Sequence, residues 1–196
     1  MSAVVRLRPG KEKPLLGHHP WVFSGAIASV KGNPSPGDIV TVVAGDGRFL
    51  ARGYWNGASQ IRVRVLTFRD VEVDEGFWQQ ALARSVGARG GVVGRGASAS
   101  LRTTDGGGPS ASLGTMEGVR LVYGESDYLP GLIVDRYADY LVLQALTFGM
   151  DQRKWMIAEI LEDLVGSSGI YERSDADVRD REELPPSTGV LRGNAP

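Results

Sequence analysis

The run GDIVTVVAGDGRFLARGYWN, residues 37–56, decides the fold of the first part of the chain, because it holds two strands and the turn between them. Residues 38–43 are nearly continuously apolar and rich in Val and Ile, as in an interior strand. Gly45-Asp46-Gly47 supplies an Asp-Gly pair, a strong hairpin signal, and residues 49–54 form the returning strand. Downstream, Gln60-Ile61-Arg62-Val63-Arg64-Val65 alternates apolar and polar positions, the period of a half-buried strand. Upstream, Val5-Arg6-Leu7-Arg8 does the same. The prolines of Gly32-Asn33-Pro34-Ser35-Pro36-Gly37 cannot continue a ladder, so this stretch is a loop. Many short strands with Gly/Pro turns and no strong helix predict a small β-barrel over residues 1–72.

Helical periodicity begins after that barrel. Asp74 can cap a helix in which Trp78, Ala81, Leu82 and Ser85 share one face. Residues 87–118 then carry ten glycines among serines and threonines. A stretch so poor in large apolar side chains cannot offset its ordering entropy and is expected to be a disordered insert. It holds no G-x-x-x-x-G-K-[ST] phosphate loop. Strands are predicted at 119–124, 132–137, 140–147 and 169–174, with a type II turn at Pro130-Gly131. Residues 151–165 form a predicted helix, with Ile157, Ile160, Leu161 and Leu164 as its buried stripe and Gly166 as its cap. From residue 175 the chain is charged and then rich in Pro and Gly, so 179–196 reads as a linker.

The 196 residues are 42% hydrophobic and 23% charged, enough to bury a real core. With no cysteine there is no disulfide, thiolate metal site or cysteine nucleophile. The two histidines, His18 and His19, are adjacent and lack the i, i+4 spacing of a zinc helix. No run of ~18 apolar residues suggests a transmembrane helix, and MSAVVRLRPGKEK turns charged before a signal core can form. The net charge of −1 conceals an asymmetry: up to Arg69 there are ten basic and three acidic residues, beyond it twelve basic and twenty acidic. A basic segment on an otherwise acidic chain suggests a polyanionic partner, above all nucleic acid.

Three clusters are candidates for chemistry. Glu125 and Asp127, with Asp135 and Arg136 nearby, could serve acid–base hydrolysis or simply decorate a turn. Glu172, Asp175 and Asp177 could hold a hard cation or form salt bridges at a strand end. His18 and Trp21 could stack on single-stranded RNA, or Trp21 could plug the barrel. In a strand, Arg62 and Arg64 lie roughly 6.5–7 Å apart on one face, about one phosphate spacing. With Ile61, Val63 and Val65 inward, both are expected to point outward to phosphates. Arg6 and Arg8 repeat the arrangement, and Arg52, Lys11 and Lys13 extend the stripe if the strands are neighbours.

HPWVFSGAI, GDIVTVVAGDGRFLARGYWN and SQIRVRVLTF together resemble a PUA RNA-binding domain. Followed by RLVYGESDYLPGLIVDRYADYLVLQ and GIYERSDADVR, the order resembles the ribosomal RNA large-subunit methyltransferase I family. The resemblance implies an α+β chain: a PUA-like barrel at 1–72, then a central domain at 73–178 of two hairpins around a helix. It further implies cytosine-C5 methylation of large-subunit ribosomal RNA with S-adenosylmethionine (SAM), a cytoplasmic location, no membrane partner and an optional homodimer. The family's SAM-binding third domain would begin near GVLRGNAP, and its glycine loop and catalytic cysteine have no counterpart here. The chain is therefore expected to bind RNA through Arg6, Arg8, Lys11, Lys13, His18, Trp21, Arg52, Arg62 and Arg64. No catalytic, cofactor or metal residue is assigned. The alternative is a stand-alone PUA-type RNA-binding module.

Overall fold

The computed structural model describes residues 3–90 and 118–194. Its first seven elements follow the strand-rich segment: β1 (Ala3–Leu7), α1 (Lys13–Leu16), β2 (Trp21–Phe23), β3 (Ile27–Lys31), β4 (Ile39–Val43), β5 (Phe49–Trp55) and β6 (Ile61–Thr67). Gly47 closes the β4–β5 hairpin at φ +94°, a conformation that costs a side chain dearly, and its N–H reaches the Ala44 carbonyl at 3.0 Å. The strands form one sheet in the order β2-β6-β5-β4-β1-β3, with β1 and β4 parallel. Val5, Leu7, Val22, Val40, Val42, Ala51, Val63 and Val65, from five strands, are buried in one cluster. A flat sheet could not gather them, so the sheet curls around its own apolar face. Strands β2 and β3, both short, were not legible in the pattern, nor was α1.

The second half comprises α2 (Glu75–Ala88), β7 (Val119–Tyr123), β8 (Leu132–Tyr137), β9 (Tyr140–Ala145), α3 (Phe148–Asp151), α4 (Lys154–Val165), β10 (Gly169–Ser174) and β11 (Ser187–Gly193). Asp74 caps α2 as expected, its Oδ1 accepting the Phe77 N–H at 2.9 Å. The five strands run β11-β10-β9-β8-β7, and β10 lies parallel to β9. A parallel neighbour requires a crossover, which α4 provides. The strands on either side of α4 thus share one sheet. Trp78, Leu82 and Val86 of α2 pack with Ile157 and Leu161 of α4 over Leu121, Leu132 and Leu143.

Three expectations need correction. The long helix begins at Lys154, not at residue 151; Asp151 ends α3 and turns to bind Lys154 and Arg179. Gly87 and Ala88 belong to α2, whereas 91–117 of the expected disordered insert lie outside the described residues. Residues 179–196 are no plain linker. A 3-10 turn, Asp177–Glu182, buries Arg179 and Glu182, and β11 pairs antiparallel with β10. Backbone pairing holds that strand, with Leu191 as its one buried apolar side chain.

Candidate nucleic-acid interface

Strand β6 divides its side chains between two cores. Val63 and Val65 face the curled sheet, while Leu66 joins the core of the second half. Arg64 lies in register between Trp21 on β2 and Tyr54 on β5. All three reach across the junction between the halves. The Tyr54 hydroxyl bonds the Pro130 carbonyl at 2.6 Å and Thr147 Oγ1 at 2.8 Å. Burial pushes its pKa well above the ordinary 10.0, so it stays a neutral donor. Arg64 Nη2 pairs with Glu182 Oε1 at 2.8 Å and Nη1 with Glu125 Oε1 at 3.5 Å. Trp21 Nε1 donates to the same Glu125 oxygen at 3.0 Å.

Arg64 is thus corrected from its expected outward place. Its side chain is 11% exposed and satisfies a fully buried carboxylate, because the outer face of β6 is covered by the second half. Trp21 is half-buried at the same junction and neither plugs the first core nor stands free. Arg52 pairs with Asp70 at 2.6 Å. Arg6 donates to the Gly45 carbonyl at 2.8 Å and Arg8 to that of Ile27 at 3.1 Å, which fixes their position without cancelling their charge. Two strands separate β1 from β6, so Arg6 and Arg8 do not continue a stripe with Arg62. Lys11 and Lys13 are exposed and Arg62 half-exposed, and none of the three forms an ion pair among the described residues.

The histidines open onto two aromatic groups. His19 sits beside Trp21 and Phe23, with ring centroids 5.6 and 6.4 Å away. His18 meets Phe68 edge-on at 4.7 Å, and Phe68 meets Tyr128 at 5.8 Å. His18, Phe68 and Tyr128 wall a cleft of about 880 Å³, together with Arg69, Glu72 and Arg84. Phe68, Tyr128, Arg69 and Arg84 were absent from the expected set. Phe68 and Arg69 directly follow the arginine strand, but 60 residues separate Phe68 from Tyr128, and only the fold joins them.

The carboxylate clusters are engaged structurally. Glu125 is held by Trp21 and Arg64, and Asp127 accepts from Arg89 at 3.1 Å and from the Tyr123 N–H at 2.6 Å. Asp135 pairs with Arg120 at 2.8 Å. Glu172 takes Lys154 Nζ and Ser187 Oγ, both at 2.9 Å, the salt-bridged alternative for that cluster.

The curled sheet docks on the α+β half through Trp21 of β2, Tyr54 of β5 and Arg64 of β6. Residues 5–68 match the family model for a PUA-like domain. Over its whole length the chain is homologous to the ribosomal RNA large subunit methyltransferase I proteins. It is 41% identical to that of Shewanella amazonensis and 42% to that of Aeromonas hydrophila, each over 197 aligned residues. The alignments take in 100% of this chain and 45% of each relative, so the chain spans under half the length of the proteins it matches. Among solved structures, a candidate SAM-dependent methyltransferase from Streptococcus mutans superposes with a TM-score of 0.70 at 14% identity. A candidate methyltransferase complexed with SAH also gives 0.70, at 13%. These two cover 100% of this chain and 44% of their own, a likeness of fold.

Proposed function

We propose that this chain is the RNA-recognising part of a SAM-dependent methyltransferase acting on large-subunit ribosomal RNA in the cytoplasm. One observation carries the reading: within the PUA-like domain, Lys11, Lys13 and Arg62 hold charge that no described acidic residue neutralises. The homology to ribosomal RNA methyltransferases supplies the substrate class. Lys11, Lys13 and Arg62 contact phosphates, with Arg6 and Arg8 as a separate basic patch on β1. His18 contributes from the cleft, while Trp21 and Arg64 hold the domain in place and Arg52 is paired with Asp70. Methylation at cytosine C5 needs a thiolate to add to the ring, and this sequence has no cysteine. The chain therefore contributes binding and orientation, and SAM and the covalent step belong to other parts of the protein. No helix among the described residues is long and apolar enough to cross a membrane.

Filter binding of large-subunit ribosomal RNA fragments to the chain tests this reading. Binding that weakens steeply with added salt is expected. Failure to bind at low salt would overturn it.

A further inference from the structure

We infer that the cleft walled by His18, Phe68 and Tyr128 receives a single unstacked RNA base. The inference rests on the RNA-binding reading above and names what that surface selects. The cleft, about 880 Å³, is in the size range of small-ligand sites and lies where the end of β6 meets the start of α2. Its charges favour a base over a phosphate. Arg69 and Arg84 line it, but so do the carboxylates of Glu72 and Asp74. A phosphate would meet two like charges there. A base is uncharged, carries donors and acceptors on its edge, and can use both signs of side chain.

The aromatic walls supply the face for it. The side chains of His18 and Tyr128 are exposed and only Phe68 is partly packed on the first core. His18 at φ +60° and Tyr128 at φ +55° are two of the four described non-glycine residues in the left-handed region. Such a conformation is strained for a residue with a side chain and tends to mark binding sites. Here both strained residues contact the same ring, Phe68.

The exposed Lys11 and Lys13 precede His18 in the same short segment of chain. Lys13 begins α1, and its carbonyl accepts the Gly17 N–H at 3.1 Å, immediately before His18. A strand held at its phosphates by Lys11 and Lys13 would turn one base past His18 into the cleft. Duplex RNA keeps its bases stacked and paired and offers none.

The test uses the whole chain, a single-stranded RNA of about 12 nucleotides, the corresponding abasic strand and a duplex of the same length. Binding is measured by anisotropy across a salt series. The variant is the pair His18→Ala with Tyr128→Leu, which leaves Phe68 and the core untouched. Its affinity for the single strand should fall roughly 5- to 100-fold, the usual worth of one stacked base. The slope of log affinity against log salt should not change, because every phosphate-binding side chain stays in place. The parent should bind the abasic strand as weakly as the variant binds the intact one, a comparison that does not depend on how the variant folds. A variant as tight as the parent, or equal parental affinity for intact and abasic strands, would overturn the inference and leave RNA binding standing. A parent that binds none of these RNAs, nor the ribosomal fragments, would overturn the RNA-binding reading itself.

Discussion

Arg64 and Glu182, 118 positions apart, meet in a 2.8 Å ion pair that fastens the PUA-like sheet to the second half of the chain. Glu182 has no exposed side-chain surface, and it also accepts from Asn56 Nδ2 at 3.0 Å and the Phe148 N–H at 3.4 Å. One carboxylate thus gathers donors from β6, from the turn after β5 and from the start of α3. A buried ion pair is weak evidence of net stability, but removing one partner leaves a charge stranded in low dielectric.

Arg64→Ala should therefore destabilise the chain by about 3–5 kcal/mol in urea denaturation, because Glu182 is left without its counter-charge. Arg62→Ala, half-exposed and unpaired among the described residues, should cost under about 0.5 kcal/mol. Equal costs for the two substitutions would contradict the division of roles along β6.

Tyr54→Phe removes a hydroxyl that bonds Pro130 and Thr147 in a fully buried site, at a cost of about 1–2 kcal/mol near neutral pH. The unfolded tyrosine loses its proton near 10.0, while burial keeps the folded one protonated well above that. Above that pH the folded state therefore binds more protons than the unfolded state, and the Tyr54 contribution declines as pH rises. Denaturation midpoints above pH ~10 should accordingly fall more steeply for the parent than for Tyr54→Phe. Parallel pH profiles would be inconsistent with a buried, protonated Tyr54.

Gly53→Ala should be among the most damaging substitutions in the first sheet. A Cβ there would collide with the Arg64 carbonyl on the paired strand β6. Backbone cannot yield as a flexible side chain can, so a loss of about 3 kcal/mol is expected, read as a lowered melting midpoint. Gly10→Ala meets no atom within 4 Å and, despite its left-handed φ, should cost only about 1 kcal/mol.

The strands of 37–56 and the α2 face of Trp78, Ala81 and Leu82 were legible because local period and burial agree. Alternation correctly put Arg64 opposite Val63 and Val65, but it cannot say whether the opposite face meets water or another layer. Arg64 was misplaced for that reason. Strand β11 was missed because Pro185-Pro186 precede it and its inward apolar residues are few. The cleft was half legible: His18 was a candidate from its neighbours, whereas its contact Phe68 and the more distant Tyr128 required the fold.

The salt dependence of RNA affinity tests the central claim most directly. Each single-strand phosphate that is no longer neutralised lowers the magnitude of the log–log slope by about 0.7. The combined substitution Lys11→Ala, Lys13→Ala and Arg62→Ala should thus flatten the slope by roughly 2 and leave the melting midpoint unchanged. An unchanged slope and affinity, against an RNA that the parent binds, would place the phosphate contacts elsewhere and contradict the assignment of these three residues.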